Sequence, residues 1–135
     1  MSYETKARAL FDEFETTFEA AQPTVVVVFP NVHYAPVKGT NWVRLTINWG
    51  EQRPASVGGV LNRYRTVGVL TVQVFAGQGE GPVTAIQIAD DVVATFRGTT
   101  IGGVRTKGTR LQDIGGEDGW YQINAITPFE FDESA

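Results

Sequence analysis

Few side chains in this sequence are able to do covalent or acid–base chemistry. His33 is the single imidazole, in the run Pro30-Asn31-Val32-His33-Tyr34-Ala35-Pro36. With Ser56 it would begin a nucleophile–base relay, but no strand-to-helix elbow surrounds that serine. With carboxylates it would bind a metal. Asp90 and Asp91, however, are neighbours on an expected helix and point about 100° apart, so they do not chelate together. Asp113, Glu117 and Asp118 flank Gly115-Gly116, and carboxylates roughly 5–9 Å apart can cleave glycosides. Here they sit on a turn with no aromatic cleft implied. The link Gly77-Gln78-Gly79-Glu80-Gly81 resembles a dinucleotide fingerprint and fails it. The third glycine comes one residue early, Pro82 takes its place, and Glu80 would repel a pyrophosphate. No Lys-Ser/Thr pair follows, so it is not a P-loop either.

Aromatic and basic residues are the other candidates. Trp42, Trp49, Trp120, Tyr64 and Tyr121 stand near Arg44, Arg63 and Arg65, the types that stack on and neutralise single-stranded nucleic acid. Trp42 and Trp49 fall on opposite faces of a strand, however, and no RNP-like run is present. They read as packing or subunit-contact residues. Zero cysteines exclude disulfides and thiolate sites, and the formal net charge of −4 gives no bulk attraction to DNA or anionic membrane. The longest apolar run, Val25–Phe29, is far below the ~20 residues of a membrane span. The acid-rich N-terminus has no signal-peptide core. No cofactor, no metal and no membrane partner are expected.

The elements that must position these residues follow from periodicity. Ala7, Leu10, Phe11, Phe14, Phe18 and Ala21 form a helical stripe over residues 3–21, with Ser2 as N-cap and Pro23 as stop. Thr24–Phe29 is a β-branched run expected to be buried on both faces. Trp42–Trp49 alternates, with Val43, Leu45 and Ile47 on one side. Gly50–Leu61 reads as a long mobile arm, and Asn62–Phe75 as a strand antiparallel to Trp42–Trp49. Pro82 opens a second helix whose apolar face holds Ala85, Ile86, Ala89, Val92, Val93 and Phe96, closed by Gly98. Thr99–Asp113 and Trp120–Phe131 are two further strands around the turn Gly115–Gly119. Glu130–Ala135 reads as an acidic tail, frayed over residues 132–135. The expectation is a single α+β domain spanning residues 1–135. It has a mainly antiparallel, mixed sheet of about five strands, two helices on one side and the order α-β-β-β-α-β-β.

Charge is segregated along the chain. Residues 38–65 hold Lys38, Arg44, Arg53, Arg63 and Arg65 against Glu51, five to one, net +4; residues 97–110 hold Arg97, Arg105, Lys107 and Arg110 and no acid. The first helix holds five acids against Lys6 and Arg8, net −3. Such a pattern suits attraction between copies or to a patterned partner. It also suits cations that guard strand edges against aggregation.

The ordered set of a phenylalanine-spaced helix, VVVVFPNVHYAPVKGTNWVRLTI, RYRTVGVLTVQVFAGQGEGPVTAIQIADDVVATFRG and a final DGWYQINAITPFEFD resembles the tail terminator (tail completion) proteins of long-tailed bacteriophages, the lambda-type terminator among them. The likeness runs over roughly residues 3–131. It implies a non-enzymatic virion protein, in the host cytoplasm before assembly and at the head-proximal end of the tail afterwards. It also implies a homo-hexameric ring that stops tube growth, docks the head-completion (neck) complex and lets genomic DNA through its lumen without specific binding. No catalytic residues carry over. For contacts with a neighbour or the tail tube protein, the residues singled out are Arg53, Arg63 and Arg65, then Trp42 and Trp49. The alternatives are a head-to-tail joining (neck) ring protein, a small nucleic-acid-binding module, and an enzyme built on His33.

Overall fold

The computed structural model describes residues 3–56, 58–59, 62–77, 79, 82–117 and 119–134. The cap expected at Ser2, residues 78, 80 and 81 of the glycine link, residues 57, 60 and 61 of the arm, Asp118 and Ala135 lie outside them. Helix α1 (Tyr3–Glu13) continues through a π-helical stretch (Phe14–Phe18) into a last turn, α2 (Glu19–Ala21). Seven strands follow among the described residues. They are β1 (Val26–Val28), β2 (Trp42–Pro54), β3 (Arg63–Gly77), β4 (Thr100–Ile101), β5 (Val104–Thr106), β6 (Arg110–Glu117) and β7 (Trp120–Ser134). Helix α3 (Pro82–Phe96) lies between β3 and β4 in the chain. The sheet order is β1-β2-β3-β7-β5-β4, with β6 also paired to β7; β1 runs parallel to β2 and every other pair is antiparallel. This is the expected α+β arrangement with helices on one face.

Register explains the core. Val43, Val74 and Ile123 form one row across β2, β3 and β7, Leu45, Val72 and Ala125 the next, and Ile47, Leu70 and Thr127 a third. These rows meet Leu10, Phe14 and Phe18 of the first helical rod and Ala85, Ile88, Ala89, Val92 and Phe96 of α3. Phe14 stacks between Phe18, at 4.7 Å, and Phe96, at 5.5 Å. Full burial of one such ring is worth roughly 1.5–3 kcal/mol. In the fourth row Trp49 and Phe129 flank Gly68. A Cβ there would run into the Phe129 ring and lie 2.8 Å from the Asn48 carbonyl oxygen, so only glycine lets the two rings close over β3.

The structure corrects the sequence reading in five places. There are seven strands rather than about five, because Gly102 and Gly103, at φ 55° and 85°, turn the expected strand Thr99–Asp113 into a β4–β5 hairpin followed by β6. The valine run yields a three-residue edge strand, not one buried on both faces. The arm is ordered strand through Pro54; a bulge between Trp49 and Gln52 bends it, and the Ala55 N–H donates to the Arg63 carbonyl at 2.6 Å. Asp132, Glu133 and Ser134 are not frayed but pair with Arg65, Tyr64 and Arg63. On α3, Ile88 faces the core and Ile86 faces out.

Lys6, on the first helix, is fully buried. Its ammonium donates to the Gly102 carbonyl at 3.0 Å and lies 5.4 Å from the Phe131 ring centroid, fixing α1 to the β4–β5 turn. Gly102 tolerates no side chain, since a Cβ would sit 2.5 Å from that of Ala9.

Candidate assembly surfaces

Among the described residues, Ser56, Asp91 and Asp113 are each held in a structural hydrogen bond and none of them bonds to His33; Asp118 and the side chain of Glu117 lie outside those residues. His33 is exposed on its loop, far in sequence and structure element from Asp90 and Asp91. Ser56 accepts the Arg63 backbone N–H at 2.8 Å, a turn-closing role. Asp91 accepts from Gln22 at 2.6 Å, tying α2 to α3. Asp113 accepts the Tyr121 hydroxyl at 2.7 Å, which raises the tyrosine's pKa, mainly through that hydrogen bond. Among the described residues no group of three His, Cys, Asp or Glu is placed to hold a metal ion. No helix among them is long and apolar enough to cross a membrane.

What the fold does build is a second sheet face that carries no helix among the described residues. The pleat sends Trp42, Phe75 and Gln122 to it in one row, then Arg44, Gln73 and Asn124, then Thr46, Thr71 and Ile126. Trp42 is only 6% exposed: it stacks on Phe75 at 4.0 Å, meets Trp120 edge-on at 6.3 Å and packs against Tyr34 of the long loop at 5.1 Å. Arg44 lies over it, 5.4 Å from the ring. Trp49 is on the helix face, as the period predicts. It is 40% exposed and held edge-on by Tyr3 at 4.9 Å and Phe129 at 5.9 Å.

At the far end of the same open face, the β2–β3 arm and the end of β7 carry an ion network. Arg53 and Arg65 are directly opposite, an unfavourable pair that two acids relieve. Arg53 binds Glu51 at 2.7 Å, and Arg65 binds Asp132 at 2.8 and 3.1 Å. Arg105 reaches Asp132 at 3.3 Å and Glu130 at 3.6 Å, and Lys107 reaches Glu130 at 4.0 Å. The hydrogen bonds from Arg65 hold the Asp132 carboxyl down at about 2, with the charges of Arg105 and Arg65 adding to the effect against partial burial. Arg63 has no ion pair among the described residues; it lines a polar hollow with Arg105, Asp132, Glu133 and Ser134. Two of the three arginines singled out from sequence are thus engaged within the chain. The partners of Arg65, Glu130 and Asp132, were missed, although Phe129-Glu130-Phe131-Asp132 alternates as a half-buried strand should.

Comparison with known proteins decides the family. The family model described as phage tail terminator protein matches residues 7–126. The chain belongs to the phage tail terminator family. That makes it a structural component of phage tail assembly and of the virion tail. A protein of solved structure that carries no functional name is similar over 97% of this chain and 96% of its own, at 20% identity and a TM-score of 0.71, which shows a shared fold. No curated protein matches the chain.

Proposed function

We propose that the chain closes into a ring of six on the head-proximal end of the tail tube. There it ends addition of tail tube protein and presents its other rim to the head-completion (neck) protein, while the genome passes through the lumen unread. The observation that carries this reading is the family match over residues 7–126. The fold supports it physically. β1 covers only Trp42–Arg44 of β2, so the rest of β2 is a free edge on one flank, and β6 is a free edge on the other. Two different flanks suit a head-to-tail contact, the kind that closes into a ring. Arg63 is the cation placed to meet an acid of a neighbour or of the tube; Arg53 and Arg65 would have to share theirs.

The test adds purified chain to polymerising tail tube protein. Tubes should stop growing, with labelled chain at one end only. Unchanged tube growth, with the chain recovered on portal-side adaptor instead, would establish the neck-protein reading.

A further inference from the structure

We infer that β6 of one copy docks into a hollow on the β2–β3 arm of the next; this names the contact inside the ring proposed above and rests on that reading. The hollow, of about 400 Å3, is lined by Glu51, Arg53, Pro54, Ala55, Arg65 and Val67. Val67 is its apolar floor. It lies on β3, next to the β2 bulge, and is 44% exposed because its side chain points to the sheet face that carries no helix among the described residues. An apolar floor inside a hollow with charged walls is a seat for a partner's apolar side chain.

The matching knob is on the chain itself. Leu111 and Ile114 of β6 are 41% and 48% exposed, and the bulge between Asp113 and Gly115 leaves Ile114 outside the ladder. The other bare apolar residues offer no knob opposite the arm: Tyr3 and Trp49 pack on each other at 4.9 Å on the helix face beside β2. Val32 and Val37 belong to the loop entering β2, on the hollow's own flank, and Val83 and Ile86 ride on α3 over the sheet. Among the described residues, β6 is the element on the flank opposite the arm that carries bare apolar residues. Charges agree as well. The knob is bracketed by Arg110, which has no ion pair among the described residues, and Asp113; the hollow is walled by Glu51 and by Arg53 and Arg65. In this contact Arg110 shares Glu51 with Arg53, and Asp113, which also accepts the Tyr121 hydroxyl, meets the arginines. The bulges on both edges prevent a long uninterrupted ladder, so side chains carry the contact and unselective edge-to-edge stacking is resisted.

The absence of cysteine gives a clean test. In the full chain, Ala55→Cys/Ile114→Cys treated with a short bis-maleimide should yield a covalent ladder ending at the ring, whereas each single variant stops at a dimer. Independently, Leu111→Ser/Ile114→Ser should raise the concentration for half-assembly at least ten-fold, with an unchanged melting curve because both residues are exposed. Native mass spectrometry of the untreated chain, alone and on tube ends, runs beside both. A ring of normal mass that gives no ladder and ignores the serine variant overturns the contact and leaves the ring. No ring under any condition, and no ladder, overturns both.

Discussion

Replacing Trp42 with alanine separates a residue that holds this chain together from one kept for a partner. The indole is 6% exposed within a single chain, stacked on Phe75 at 4.0 Å and edge-on to Trp120 at 6.3 Å. Truncating a buried tryptophan costs about 3–5 kcal/mol, since both its transfer energy and the packing around the cavity are lost. The stack and the edge contact place Trp42 in the upper part of that range. Unfolding a chain of 135 residues carries an entropy of about 0.28 kcal/mol/K at about 2.1 cal/mol/K per residue, so Tm should fall by about 10–18 °C. Thermal unfolding should be followed by circular dichroism at a concentration where the chain is monomeric, with Trp42→Phe retaining about half of the lost stability. A fall below about 3 °C in the monomer, with assembly abolished, would show that the ring is reserved for a partner and that the packing argument fails.

Other outcomes follow from the same geometry. Asp132 titrates at about 2 rather than 3.8, so its contribution is complete above pH 4 and lost as pH falls toward 2. With both arginines largely in water, about 1 kcal/mol is expected, and Asp132→Asn should flatten that stretch of a stability–pH curve. Gly68→Ala should cost about 1–3 kcal/mol in denaturant unfolding by driving a methyl into Phe129 and the Asn48 carbonyl. Lys6→Ala should cost about 2–4 kcal/mol, and Lys6→Met, which keeps the stem over Phe131, less than half of that. Arg63→Glu should leave Tm within about 2 °C, as expected of an exposed residue with no ion pair among the described residues, and weaken capping of tubes in a sedimentation assay.

Local patterns made much of this fold readable. Alternation placed Val43, Leu45 and Ile47 on one side of β2, and Pro82 and Gly98 bounded α3 correctly to within two residues. Non-local pairing hid the rest. Glu130, Asp132 and Glu133 look like a solvated tail until β3 brings Arg65 alongside. Gly50 and Pro54 look like loop signals, yet they sit on an edge strand where a bulge and a missing N–H cost little. In the sequence Lys6 is only one of two cations among the five acids of the first helix, and it is the β4–β5 turn folding back over it that supplies the carbonyl accepting its hydrogen bond. For the assembly surfaces, the sequence singled out Arg53 and Arg65 for contacts with another subunit, and the hairpin sets them opposite each other with acids of their own chain beside them. The hollow at Val67 was not legible, because its walls come from both β2 and β3 and meet only through their pairing around the β2 bulge.

The central claim is that this protein acts by shape, ending a polymer without making or breaking a bond. Electron micrographs of virions assembled without it measure that directly, through the distribution of tail lengths and the fraction of tails joined to heads. The account predicts tails of abnormal, widely spread length and few joined particles. Tails of ordinary length attached to filled heads would contradict it.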